Sequence, residues 1–177
     1  VGNQKGLLKF IELRRIAISI FLFAVIFAAG FAILFLIFRF QLPKIYVDLT
    51  DPENLIDMDK ATERTIITIN KKDKIGIFGD YDVDGATSTA LLGKFFSELG
   101  LSFEIYIPDR KTEGYGPTIQ SFKELINKGV KIIFTVDCGT LSFEAIDYAN
   151  KNDIDVIVLD HHQYEITLPK AFSVINP

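Results

Sequence analysis

From Lys74 onward, short apolar runs alternate with longer stretches of helical spacing, and this rhythm narrows the choice of fold more than any other feature of the chain. Lys74 to Phe78, Phe103 to Ile107, Lys131 to Val136, Ile154 to Leu159 and Ala171 to Ile175 are too short for helices and read as buried strands. Between them, Ala86 to Leu99, Thr118 to Lys128 and Ser142 to Asn150 read as helices, with Gly100 and Gly129 placed as helix stops. Ahead of them Asp51-Pro52-Glu53 makes a good helix opening, and Leu55, Met58, Ala61, Ile66 and Ile69 recur roughly at helical spacing through Asn70. Strand-helix alternation of this kind predicts an α/β domain with a mostly parallel, doubly wound sheet. Ligands of such sheets sit beyond the carboxyl ends of the strands.

The chemically distinctive residues fall at that edge. Gly79-Asp80-Tyr81-Asp82-Val83-Asp84-Gly85 follows the first run and sets three carboxylates at alternate positions before a glycine. Ionised carboxylates so close repel one another unless protons or a cation neutralise them, and hard divalent ions such as Mg²⁺ and Mn²⁺ prefer oxygen ligands. An acidic turn capping the next helix is the bland alternative. Asp137 ends the third run in Thr135-Val136-Asp137-Cys138-Gly139, where it suits either a ligand or a helix cap, and Cys138 reads as a small packed side chain. Asp160-His161-His162 ends the fourth run and holds both histidines of the chain. Adjacent side chains on extended backbone point in opposite directions, so one imidazole suits a metal and the other a substrate; an added imidazole shifts the preference toward Mn²⁺. In Pro108-Asp109-Arg110-Lys111-Thr112-Glu113-Gly114-Tyr115-Gly116-Pro117, Arg110 offers a planar fork for phosphate, while Gly114 and Gly116 permit close backbone approach. An ordinary solvated loop is the alternative there.

The amino-terminal segment, 1–40, has a different character. Ile16 to Phe38 is a run of 23 residues in which Ser19 is the one strongly polar side chain. As a helix it reaches roughly 34 Å, enough to cross a hydrocarbon core. From Arg39 onward there are 15 basic and 22 acidic side chains, a net of −7, the opposite of the basic stripe of a stand-alone nucleic-acid binder. A single cysteine excludes an internal disulfide and fits a reducing compartment. The chain begins at Val1 and stops at Pro177 just after a strand-like run, so it reads as a fragment.

Taken in order, GDYDVDG, PDRKTEGYG, TVDCG and DHH resemble the motifs of the DHH phosphoesterase superfamily, and within it those of the RecJ single-strand-specific exonucleases. The likeness spans about Pro43 to Pro177 and makes 41–177 a DHH domain truncated at its carboxyl end. It implies two Mn²⁺ or Mg²⁺ ions and hydrolysis of single-stranded DNA from a 5′ end in the cytoplasm, in repair and recombination alongside other repair proteins. By position, Asp82 serves one metal, Asp84 and His161 the other, and Asp137 bridges them. Asp80 and Asp160 are supporting acids. His162 and Arg110 contact the scissile phosphate, with Gly114 and Gly116 lining the substrate loop.

The sequence departs from that pattern in three places. Many superfamily members carry a histidine four residues before the first metal-binding aspartate, where this chain has Phe78. A further metal-binding aspartate and a second domain, both downstream of DHH in the family, lie outside the sequence, so the 41–177 segment alone is expected to show little nuclease activity. The apolar run is foreign to soluble RecJ enzymes. Its flanking charges place the domain on the outer side of a membrane, so a reading-frame error fits better than a genuine anchor, and a chimeric assembly stays open. If the run is real, the rival reading is a membrane-tethered DHH phosphodiesterase acting on cyclic dinucleotides or short oligonucleotides. A DHH scaffold that has lost its metals is disfavoured by the intact Asp82, Asp84, Asp137 and His161.

Overall fold

The structure, a computed structural model, describes residues 51–164 and 167–177. The 1–40 segment with its run from Ile16 to Phe38 lies outside them. Among the described residues no helix is long and apolar enough to cross a membrane.

Five strands form one sheet: β1 (Ile75–Gly79), β2 (Phe103–Tyr106), β3 (Ile132–Val136), β4 (Asp155–Leu159) and β5 (Ser173–Ile175). Their order is β2-β1-β3-β4-β5 and every pairing is parallel. The chain steps outward from β1 to β2 and then returns to lay β3 on the other side of β1. Strand order therefore reverses between β1 and β3, where a crevice opens at the carboxyl edge.

Among the described residues four α-helices cover the sheet: α1 (Met58–Lys71), α2 (Val83–Glu98), α3 (Ile119–Asn127) and α4 (Phe143–Lys151). Period-two alternation sorts the strand residues onto two faces. Ile75, Ile77, Ile132, Phe134 and Ile157 pack with Ala61 of α1 and Phe96 of α2, whereas Phe78, Ile133, Val156 and Val158 pack with residues of α3 and α4 such as Phe122 and Ile146. Helices cover both faces, which is why every residue of β1 and β3 is buried and Thr135 is the one polar side chain among them. Phe78 is wholly buried, stacked on Tyr106 at 5.5 Å and edge-on to Phe122 at 6.2 Å between ring centres. It is a core residue of the α3–α4 face.

The structure corrects two boundaries. The helix expected from Pro52 breaks: Pro52–Asn54 is a single 3₁₀ turn, Asp57 adopts a left-handed conformation (φ 61°), and α1 starts at Met58. The break lets the Asp57 carboxylate accept a hydrogen bond from the Val174 amide at 3.1 Å, which ties the start of the domain to β5. A second tie runs from Arg64 of α1 to Asp155 of β4 at 2.6 Å. Helix α2 begins at Val83 rather than Ala86, because Asp82 caps it by accepting from the Gly85 amide at 3.0 Å. Asp84 consequently stands in the first helical turn.

Candidate metal centre

Sheet register brings the acids together. Asp80, Asp137 and Asp160 are the first residues beyond β1, β3 and β4, and each still donates its amide to the neighbouring strand: to Val136 at 3.4 Å, Leu159 at 2.9 Å and Ile175 at 3.0 Å. Three aspartates thus stand in a row across adjacent strand ends, at and beside the strand-order reversal. All three are buried. Asp137 turns out of the row with φ 61°, and the backbone folds back through Gly139 at φ 115°. A Cβ on Gly139 would lie 2.4 Å from Thr135 Oγ1, so this turn requires glycine. The N-terminus of α2 closes in similarly: a Cβ on Gly85 would lie 2.4 Å from the Asp80 carbonyl oxygen.

Two groups of potential ligand atoms result, each within 4.8 Å of one another: Asp80, Asp82 and Asp137; and Asp137, His161 and His162. Asp137 belongs to both. Its Oδ1 meets His161 Nε2 at 3.0 Å, while its Oδ2 is buried without a hydrogen-bond partner, as is Oδ1 of Asp80. Burial and the nearby Asp82 carboxylate push the Asp137 pKa up, whereas the Gly85 amide holds that of Asp82 down. A buried acceptor without a partner costs about 1–3 kcal/mol, and more when charged. Two buried, unpartnered carboxylate oxygens on aspartates that group with Asp82 fit a divalent cation, whose charge removes the repulsion and whose coordination satisfies buried oxygens.

Asp160 has another task. Its Oδ1 accepts from the amides of His161 at 2.8 Å and His162 at 3.2 Å, and its Oδ2 from the Thr140 amide at 3.1 Å. Burial alone would raise its pKa, but hydrogen bonds from Thr140 and His162 outweigh burial and leave it lowered. His162 Nδ1 lies 2.8 Å from the same Oδ1, and that contact raises the imidazole pKa. Asp160 therefore orients the histidine pair and leaves His162 Nε2 free.

The remaining expected residues are more dispersed. Asp84 is in neither ligand group, but it lines a cavity of about 460 Å³ together with Asp137 and His161. Arg110 lies over the Tyr81 ring at 5.4 Å, on the loop whose Gly114 and Gly116 take φ of 82° and 79°. Cys138 is buried and its thiol pKa is pushed up by burial, as suits a packed side chain.

Three contributors escaped the sequence reading. Tyr115, between the two glycines, donates its hydroxyl to the Asp137 carbonyl at 3.3 Å and lies 3.2 Å from His162 Nδ1. Thr140 supplies an amide to Asp160, and Asn176 donates to the His162 carbonyl at 2.9 Å and to Thr140 Oγ1 at 3.2 Å. An aromatic flanked by two glycines was a legible signal for Tyr115. Nothing local marks Thr140 or Asn176.

Residues 74–177 match the model of the DHH family, N-terminal domain. The single-stranded-DNA-specific exonuclease RecJ of Bacillus subtilis is 37% identical over 130 residues, 73% of this chain and 16% of that protein. RecJ of Haemophilus influenzae is 36% identical over 138 residues, covering 77% of this chain and 24% of its own length. The chain thus spans less than a quarter of either relative. Among solved structures, a crystal structure of exonuclease RecJ bound to manganese superposes with a TM-score of 0.66 at 29% identity, covering 73% of this chain and 33% of that one. RecJ of Thermus thermophilus in complex with Mn²⁺ gives 0.60 at 27% identity, covering 70% of this chain and 17% of that one.

Proposed function

The chain belongs to the DHH family, and from that premise we propose that it supplies the metal-binding domain of a Mn²⁺- or Mg²⁺-dependent exonuclease. The enzyme removes nucleotides from the 5′ end of single-stranded DNA in the cytoplasm, in repair and recombination. The observation that carries the reading is Asp137, a buried carboxylate shared by both ligand groups with one oxygen left unsatisfied. RecJ relatives that act on single-stranded DNA, and RecJ structures that hold manganese, support it.

In this reading Asp80, Asp82 and Asp137 hold one ion, and Asp137, His161 and Asp84 from across the small cavity hold the other. A pair of divalent ions, when bound there, would lower the pKa of an attacking water and neutralise charge growing on the phosphoryl oxygens. The chain's own residues do the positioning. Asp160 fixes the His162 ring, so that Nε2 faces outward to donate to a phosphate oxygen. Tyr115 braces His162 and the backbone of Asp137 from the opposite loop. Arg110, stacked near Tyr81, supplies a positive fork for the phosphate.

Calorimetric titration with Mn²⁺ tests the first claim: two ions per chain are expected, with both affinities reduced by Asp137→Ala. A chain that binds no Mn²⁺ removes the basis of the reading. In the complete protein, Asp137→Ala is expected to abolish digestion of 5′-labelled single-stranded DNA while leaving the fold intact. Preference for cyclic dinucleotides over long single-stranded DNA would instead support the tethered phosphodiesterase.

A further inference from the structure

Beside the histidines lies a second, larger cleft of about 1040 Å³ that the metal chemistry does not use. It is continuous with the site, since Tyr115, Asp160 and His162 form one of its walls. Its other walls come from the loop after Gly114 and the start of α4. Four large apolar side chains there remain open: Leu141 (51% exposed), Tyr115 (50%), Ile119 (43%) and Phe143 (36%). Among the described residues no lysine or arginine lines the cleft, and its charged residues besides His162 are the acids Asp160 and Glu144. A phosphate is therefore a poor occupant, and a flat, uncharged ring is a good one. Gln120 and Gln163 lie among the lining residues, and an amide offers both donors and acceptors to the edge of such a ring.

We propose that this cleft receives the unpaired nucleobase of the nucleotide whose phosphate lies at the metal centre. The inference rests on the nuclease reading above and adds a physical source for strand selectivity. A base in a duplex is already stacked and paired, so entering the cleft costs unpairing that a single strand avoids. Stacking on an aromatic or apolar wall recognises the π-face shared by all four bases, so no sequence preference is expected.

The test uses the full chain loaded with Mn²⁺ and two short 5′-phosphorylated thymidine oligonucleotides, one intact and one with an abasic analogue as the terminal nucleotide. Fluorescence anisotropy is expected to show roughly tenfold weaker binding of the abasic strand, in line with one lost stacking contact. Leu141→Ala and Phe143→Ala are expected to weaken binding of the intact strand while leaving the abasic strand unchanged, and Phe143→Tyr, which keeps a ring, should restore discrimination. Thermal unfolding of each variant monitors the fold; Leu141, half exposed, serves if Phe143→Ala proves unstable. Equal binding of both strands by the wild type, discrimination that survives Leu141→Ala, or binding of neither strand by Mn²⁺-loaded chain overturns the inference. Loss of Mn²⁺ binding itself sinks the nuclease reading, whereas Mn²⁺ binding with indifference to the base sinks only this one.

Discussion

Asp137→Asn separates what the metal centre costs the fold from what it contributes. Without a divalent ion, Asp137 keeps Oδ2 buried and unsatisfied while its carboxyl group lies within 4.8 Å of ligand atoms on Asp80 and Asp82. An amide in the same place removes one negative charge and turns a donor toward the neighbouring carboxylates, and its oxygen still meets His161. The gain should lie at the lower end of the penalty for an unsatisfied buried acceptor, about 1 kcal/mol, because the cleft admits water to one side of the cluster. For a domain of this size that is about 4 °C in Tm. The assay is thermal unfolding by circular dichroism, in a chelator and in Mn²⁺. In chelator the variant should melt higher than the wild type. In Mn²⁺ at about a hundred times Kd the wild type should gain roughly 2.7 kcal/mol per site and overtake it. Two results would refute the reasoning: a variant that melts lower in chelator, or one that gains as much from Mn²⁺ as the wild type does.

Gly85→Ala should lower both stability and Mn²⁺ affinity, since the added methyl meets backbone atoms of Asp80 at 2.4–2.7 Å and forces α2 away from β1; calorimetry and melting together check it. Phe78→His should destabilise by about 3 kcal/mol without adding Mn²⁺ affinity, because that ring is packed against Tyr106 and Phe122 in the core; denaturant unfolding measures the first effect. Glu104, held between Lys74 at 2.9 Å and Lys128 at 3.3 Å, has its pKa lowered by those two partners. A depressed carboxyl pKa gives stability that is present above the unfolded value, about 4.3, and is lost as pH falls through the folded one. Glu104→Gln should therefore flatten the fall of Tm with pH in that acidic window, an effect that salt should reduce.

What the sequence alone determined is local. Apolar runs of strand length, glycines after helices and acids directly past the runs are fixed by a few neighbouring residues, and the five strands and the DHH likeness were legible from them. Even Asp82 was readable as both cap and ligand, since its amide partner Gly85 lies three residues away. The tertiary structure decided which strand ends are neighbours. Order β2-β1-β3-β4-β5 with parallel register puts Asp80, Asp137 and Asp160 in one row, although 57 and 23 residues of chain separate them. It also groups Asp80 with Asp82 while Asp84 stands apart, bends the chain at Asp57 to reach Val174, and brings Tyr115 onto Asp137. Such contacts are set by sheet register and by the close approach that Gly85 and Gly139 permit, which couple residues far apart in sequence and leave no periodic trace along it.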